Sequence, residues 1–261
     1  MRFALPILSL ALICAATPAD AQTTRQRLSA ASSAGLNQLH RLHQRLKNGE
    51  IDFSLGLSYK RFDAGGESGT TPMALSYQGK DSSVIWFAET DGYAWEKPQQ
   101  LAFQSGLSES RLGADYEFGS DAAALTLGYA FGVTPKGDNE NRSYTHTIHA
   151  AISTTLGSFS PGIDLTRSWA NGDTPGIWSR TTEVYLGADY KPRQNHTLSA
   201  GLTRQIVDGI DSISSVEANY EFPITRGNDN PITLALTLRL GLGEDEDEEY
   251  KKAQLVFAKT F

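Results

Sequence analysis

Cysteine is almost absent from this chain, since its 261 residues include only Cys14. Cys14 lies in an apolar segment at the amino terminus, so the chain beyond that segment has no thiol, no disulfide and no cysteine metal site. Ile13 is too large for the small position that precedes the cysteine of a lipid-anchor site. Long apolar runs are also missing beyond this segment, and a helical membrane protein needs runs of about 20 apolar residues. The composition therefore argues against that class.

The first 21 residues have the pattern of a secretory signal. Arg2 gives a charged start, residues 3–16 are largely apolar, and Ala19-Asp20-Ala21 is a small-x-small cleavage site. We therefore predict a signal peptide over 1–21 and export of the remaining chain.

Acidic residues are absent from 22–49, a segment that carries +5. Apolar and small residues recur at spacings of three and four from Leu28 to Leu46, which predicts a basic amphipathic helix over 24–48. The whole chain carries −7, and Arg2 cancels Asp20, so residues 50–261 carry −12. Two interpretations stay open. The helix plugs an acidic pore through Arg41, Arg45 and Lys47, or it lies in the periplasm.

From Ile51 onward the hydrophobic period is two, which is typical of strands. In residues 232–242 every even position is Ile or Leu, and every odd position is Thr, Ala, Arg or Gly. The same pattern predicts twelve strands, at 51–62, 71–80, 83–91, 109–118, 122–134, 143–156, 162–170, 180–190, 196–207, 213–222, 231–242 and 252–261. Ten or fourteen strands remain open, because 92–108 also contains a strand-like stretch.

Short and long connections alternate between these strands, and aromatic residues gather at the strand ends. Long polar connections fall at 63–70, 92–108, 135–142, 171–179 and 243–251. With the export signal and the carboxyl-terminal Phe261, this pattern resembles the outer-membrane β-barrels of Gram-negative bacteria. The resemblance implies an all-β fold, a transmembrane antiparallel up-and-down β-barrel of about twelve strands preceded by the helix, with 50–261 as the barrel domain. A soluble periplasmic β-sandwich is the alternative.

The resemblance also implies partners. These are outer-membrane lipid and lipopolysaccharide, the barrel-insertion machinery acting through Phe261, and small solutes. A helix leading into twelve strands is similar to the translocator domain of autotransporters, although no passenger domain precedes the helix here.

The polar face of the predicted strands should line the lumen, since charged side chains are costly against lipid. It comprises Lys60, Arg111, Asp115, Glu117, His149, Asp164, Glu183, Asp189, Glu217, Asn219, Glu221 and Arg239. These side chains form a permeation path, or they fill a solid barrel. Arg167, Arg204 and Lys259 fall on the other parity, near strand ends, where long side chains can reach the interface.

Motifs for other chemistry are few. The acidic run that includes Glu244, Asp245, Glu246 and Asp247 could hold a divalent cation through carboxylate oxygens, and a solvated loop is its plainer interpretation. Lipid-cleaving barrels carry a His-x-Ser pair on a strand, and neither His146 nor His149 is followed by Ser at that spacing. No nucleic-acid patch or cofactor motif is found. We predict a non-enzymatic channel for passive passage of small solutes. A non-transporting surface or assembly barrel is the alternative, and a lipid-modifying enzyme ranks third.

Overall fold

All regular structure in the described part of the chain is β-strand. The structure is a computed structural model that describes residues 51–63, 65–80, 82–98, 104–107, 109–120, 122–134, 143–171, 178–193, 195–207, 210–225, 231–242 and 249–261. Residues 1–50 and 243–248 lie outside this set, and with them the predicted signal, helix and acidic run.

Fifteen strands follow one another along the described residues. They are β1 (Ile51–Phe62), β2 (Gly66–Thr70), β3 (Met73–Gln78), β4 (Val84–Thr90), β5 (Tyr93–Pro98), β6 (Gln104–Leu107), β7 (Ser110–Ser120), β8 (Ala123–Thr134), β9 (Ser143–Thr154), β10 (Phe159–Asn171), β11 (Trp178–Arg193), β12 (His196–Val207), β13 (Ile210–Pro223), β14 (Ile232–Leu242) and β15 (Tyr250–Thr260).

The strands form one closed sheet. Each pairs antiparallel with its neighbour in the order β15-β14-β13-β12-β11-β10-β9-β8-β7-β4-β3-β1, and β15 pairs back onto β1. This closing seam runs from Asp52↔Thr260 to Phe62↔Tyr250. At its lower end, Ile51 and Phe261 exchange two backbone hydrogen bonds of 3.1 and 2.8 Å. The predicted all-β, up-and-down barrel of twelve strands is confirmed, and the closed sheet rules out the two-sheet sandwich fold.

Three of the twelve strands are interrupted near the upper end, which is the end with the long connections. There β2 continues β3, β5 continues β4 and β6 continues β7, and these pieces extend the sheet in the order β1-β2-β5-β6. The first break falls at Thr71 and Pro72, since proline has no N–H for the ladder. The second falls at Asp91 and Gly92, where Gly92 has φ +56.

These extensions correct two predicted loops. Residues 63–70 and 92–108 are not simply loops, because β2, β5 and β6 lie within them. Pro72 and Gly92 look like turn signals in the sequence, but the chain continues to pair with neighbouring strands beyond each of them. Elsewhere the predictions agree closely, and the bounds of β1 and β12 are those predicted from alternation alone.

The barrel wall is apolar outside and polar inside. Outward side chains such as Leu57, Leu112 and Leu202 are 59, 58 and 56% exposed. Inward side chains such as Glu89 and Gln254 are 1 and 2% exposed. The buried apolar cluster is small, comprising Ala74, Ala235 and Val256. This polarity is the reverse of a water-soluble fold, in which apolar side chains form the core.

Aromatic residues cluster on the outer wall at both ends of the strands. At the upper end His146 lies between Phe131 and Trp178, at ring distances of 5.3 and 5.8 Å. At the lower end, the Tyr220 and Phe222 rings stack at 5.1 Å. Phe62 departs from the girdle and packs inward, edge-on to Tyr250 at 6.3 Å. No helix in the described part of the chain is long and apolar enough to cross a membrane.

Candidate functional site in the barrel interior

Strand β8 makes room for two carboxylates, that of Asp115 on the neighbouring β7 and that of Glu109 just before β7. Its inward face carries Gly128 and Gly132, directly opposite Asp115 and Arg111 in the ladder. A Cβ atom on Gly128 would lie 1.8 Å from Asp115 Oδ1, and one on Gly132 would lie 2.1 Å from Glu109 Oε1. The two acidic side chains therefore lie flat across glycines, which only a residue without a Cβ permits.

His149 on β9 lies between two carboxylates that come from opposite sides. Asp115 reaches it across Gly128, with 3.8 Å between His149 Nδ1 and Asp115 Oδ1. From β10, Asp164 Oδ2 lies 3.1 Å from His149 Nε2. Thr166 Oγ1 donates to the other oxygen of Asp164 at 3.3 Å. All three ionisable side chains are buried on the inner wall.

A row of cations crosses the opposite side of the interior. Lys60, Lys252 and Arg239 are successive partners in the ladders of β1, β15 and β14, and Glu217 on β13 continues the row. Arg239 Nε donates to Ser215 Oγ at 2.7 Å, and Arg239 Nη1 lies 4.0 Å from Glu217 Oε2. Lys252 also interacts electrostatically with Asp91 on one side and Glu183 on the other. Because these acids belong to distant strands, charges from around the wall meet at this level.

The structure buries seven of the twelve side chains predicted to line the lumen. They are Arg111, Asp115, His149, Asp164, Glu183, Glu217 and Arg239. Four more are half-buried at inward positions nearer the lower end: Glu117, Asp189, Asn219 and Glu221. Lys60 lies near the upper end, with Nζ 4.3 and 3.8 Å from the ring centres of Phe62 and Tyr250. Whether these side chains guide a solute stays a prediction.

Five charged interior residues of the described part of the chain were missed from the sequence, namely Asp52, Glu89, Asp91, Glu109 and Lys252. Strand β4 carries buried Ile85 and Phe87 on its inward face and exposed Trp86 outside, so its two faces could not be told apart by polarity. Glu109 pairs with Arg111, with 3.0 Å between Oε1 and Nε. Lys252 lies on the same strand face as Gln254, so the alternating pattern alone could have predicted that it points inward.

The buried charges are unbalanced. Among the residues that the structure describes, eight acidic side chains are buried: Asp52, Glu89, Asp91, Glu109, Asp115, Asp164, Glu183 and Glu217. Two arginines, Arg111 and Arg239, are buried with them, which leaves an excess of six acids before His149 is counted. In surroundings of low dielectric constant such an excess attracts cations and repels anions.

The described residues form no group of three or more His, Cys, Asp or Glu side chains placed to hold a metal ion. The predicted divalent site at Glu244–Asp247 lies outside the described residues, as do Arg41, Arg45 and Lys47.

This chain is similar to known proteins in its fold. No family model and no curated protein matches the sequence. Solved structures do match. An outer membrane channel from Pseudomonas putida F1 superposes with a TM-score of 0.64 at 14% identity, over 83% of this chain and 97% of that one. The translocator domain of the autotransporter NalP from Neisseria meningitidis gives 0.61 at 9% identity, over 94% and 99%. The NanC porin gives 0.54 at 10% identity, over 79% and 98%.

The chain shares the fold of the outer-membrane β-barrels. The resemblance inferred from the sequence is thereby confirmed at the level of architecture. At these identities the likeness concerns the fold alone, so the function is argued from the barrel's own residues.

Proposed function

We propose that this protein is an outer-membrane channel that passes small solutes passively and favours cations. The apolar outer wall between two aromatic girdles fits a bilayer, and the porin-like and channel neighbours share the architecture. The proposal includes export through the signal at 1–21, and it assigns no enzymatic activity.

The excess of buried acids over buried arginines carries the proposal. Acids point inward from β1, β4, β7, β10, β11 and β13, so they surround the interior rather than line one side. Closely spaced acids in a narrow, partly dehydrated passage are screened less than acids on an open surface. A permeating cation would meet favourable potential along the wall, and an anion would be repelled.

The basic segment 22–49 is the gating element in this proposal. It carries +5 against −12 for the rest of the chain. A helix over 24–48 would be about 37 Å long, enough to span a bilayer core of about 30 Å. Arg41, Arg45 and Lys47 would then neutralise part of the acidic interior and reduce the flow of solute.

Single-channel recording in planar bilayers tests both parts. We compare the full-length protein with a variant lacking residues 24–48, and with the double variant Glu183→Gln/Glu217→Gln. Deleting the segment should raise conductance and shift selectivity towards cations. The double substitution should lower cation selectivity, whereas Glu67→Gln, which removes an outward acid, should leave selectivity unchanged. Equal selectivity in all four proteins would refute the cation preference.

A filled, non-transporting barrel is the second candidate. The observation that favours it is the strong burial of the interior charges, with Asp91 and Thr90 both at 0% exposure. Absence of conductance from the full-length and the deleted protein, both shown to be folded, would establish this alternative in place of the channel.

A further inference from the structure

Three inward side chains on β14 and β15 carry N–H groups and lie next to one another. Arg239 and Lys252 are direct partners in the ladder, and Gln254 lies two residues from Lys252 on the same strand face. Gln254 pairs with Thr237, two residues before Arg239, so Gln254 and Arg239 are diagonal neighbours. Directly opposed side chains have their Cβ atoms about 4.5–5.5 Å apart, and diagonal ones about 7–8 Å. We call Arg239, Lys252 and Gln254 the donor patch.

The described part of the protein does not use all the donors of this patch. Gln254 is 2% exposed, yet neither its Nε2 nor its Oε1 atom has a hydrogen-bond partner among the described residues. Arg239 is 3% exposed, and although its Nε atom donates to Ser215 Oγ, its Nη1 atom makes no hydrogen bond to them. The Lys252 ammonium likewise makes no hydrogen bond or ion pair within the described part of the chain. Because buried polar groups are nearly always hydrogen-bonded, three neighbouring side chains with unused donors indicate a place for a ligand.

The charges around the donor patch favour an anionic group at this point. Lys60, Lys252 and Arg239 follow one another directly across three strands, and like charges that face each other directly are unfavourable. Lys60 Nζ lies over the rings of Phe62 and Tyr250, at 4.3 and 3.8 Å from their centres. Lys252 and Arg239 have no acidic side chain between them in the ladder. A carboxylate bound to both would therefore relieve their repulsion.

The surroundings also call for a positive group on the same molecule. Glu217 is next to Arg239 in the ladder, with 4.0 Å between Glu217 Oε2 and Arg239 Nη1. Asp91 and Glu183 act on Lys252 electrostatically, and the described interior buries eight acids against two arginines. This excess repels a simple anion. A solute with both a carboxylate and an ammonium can place the first on the donor patch and the second towards Glu217.

Gln254 suits such a solute because its amide has both donors and an acceptor. Its Nε2 atom can donate to a carboxylate held by the two cations, and its Oε1 atom can accept from an ammonium. Its ladder neighbours Ser58 and Thr237 are polar and uncharged, so they add no further charge at this level. Two cations, an amide and a nearby acid together match the groups of a small molecule that carries both charges.

We propose that the donor patch binds the carboxylate of α-amino acids, and that the acids of the interior, beginning with Glu217, receive their ammonium group. Hydrogen bonds from arginine and lysine to a carboxylate are about twice as strong as those between neutral groups. The inference deepens the proposed function by naming the class of solute. It rests on that function for passage through the barrel, but not for binding.

The test measures binding to the full-length protein, folded in detergent, by titration with saturation-transfer NMR, which detects weak ligands. Three probes of similar size separate the two charges. Alanine has both charges, propionate has only the carboxylate, and ethylamine has only the ammonium. The variant Lys252→Gln is compared with Lys251→Gln, which removes a neighbouring outward charge, and Gln254→Leu with Gln205→Leu, which removes another buried inward amide. Heat-modifiable gel migration establishes that each protein is folded.

We expect the wild type to bind alanine roughly tenfold more tightly than propionate or ethylamine, because each charged group adds hydrogen bonds. Lys252→Gln should weaken alanine binding roughly tenfold and Gln254→Leu roughly fivefold, whereas both controls should bind like the wild type. Propionate or ethylamine binding as tightly as alanine would overturn the proposal, and so would unchanged alanine binding by the patch variants. If Lys252→Gln does not fold, Gln254→Leu and its control decide the matter.

Single-channel recording distinguishes this inference from the proposed channel. Alanine should reduce the potassium current of the wild type, and should reduce it less in Lys252→Gln. A protein that conducts potassium ions but does not bind alanine would retain the proposed function and refute the inference. A protein that binds alanine without conducting would refute the channel and establish the donor patch as a binding site in a non-conducting barrel.

Discussion

Single residues decide how the interior charges are arranged. Gly128 is the clearest case, because its missing side chain lets the Asp115 carboxylate cross β8 and approach His149 on the next strand but one. Gly128 therefore makes the approach of Asp115 to His149 possible, although Gly128 itself has no side chain to contribute to the pair. A search of the sequence for charged side chains passes over such a glycine.

Gly128→Ala should destabilise the barrel by about 1–3 kcal/mol, because the added Cβ overlaps Asp115 Oδ1 in a packed interior. Urea unfolding in detergent measures the loss. Gly162→Ala is the control, since its Cβ would meet nothing closer than 3.2 Å. In an Asp115→Ala background the cost of Gly128→Ala should shrink markedly. An unchanged cost there would show that the carboxylate is not the obstacle.

At the scale of elements, the interrupted strands shape the upper end of the barrel. At the break between β4 and β5, Gly92 N–H donates to Thr90 Oγ1 at 3.0 Å, and Thr71 N–H donates to Asp91 O at 3.2 Å. The first bond lies within the second break, and the second bond joins the two breaks to each other. The pairing of β2 with β5 resumes above them.

Gly92→Ala should loosen this upper extension. Gly92 has φ +56, and its added Cβ would lie 2.7 Å from Thr71 O, so the expected cost is about 1–3 kcal/mol. Hydrogen exchange should accelerate in β2 and β5 and stay unchanged in β12 and β13. Gly79→Ala, whose Cβ would meet only ordinary contacts from 3.4 Å, serves as the control. Equal protection of β5 in both variants would contradict the proposed role of Gly92.

The elements also show how far the sequence could predict the fold. Strict alternation placed β1 and β12 without error, because one face of each strand is apolar and the other is not. It also placed β4, predicted at 83–91 and found at Val84–Thr90, but not the inward face of that strand. Inward Ile85 and Phe87 remove the contrast between its two faces, so the inward charge of Glu89 was missed. The sequence did not allow us to predict which side chains would contact each buried charge. The contact of His149 with Asp164 depends on strand register, which alternation does not specify.

For the whole molecule, the decisive property is a closed wall with apolar side chains outside and polar side chains inside, the reverse of a water-soluble protein. The apolar side chains of the described strands face outward, and eight acids and two arginines of the described residues are buried inside. In the outer-membrane location proposed above, the wall faces lipid, and we expect the cost of an outward charge to vary with its depth in the bilayer.

Leu202→Arg and Ile206→Arg test this dependence on depth. Both residues point outward from β12, at 56 and 48% exposure, but Ile206 lies above Arg204 and Leu202 lies below it. In bilayers we expect Leu202→Arg to cost about 2–4 kcal/mol and Ile206→Arg about 0–1 kcal/mol. Reversible folding into vesicles measures both values. Equal costs would mean that the level of Arg204 does not mark a membrane interface.

The seam between β1 and β15 has a consequence for how the chain acquires its structure. Its pairs join residues as far apart as Asp52 and Thr260, 208 positions along the chain. Until those ends meet, the sheet has two open edges that can pair with any other extended chain. This seam joins the residues that are farthest apart in the sequence, and pairings of such high contact order form slowly. We therefore predict that assembly needs a partner that shields both edges until the ring is complete.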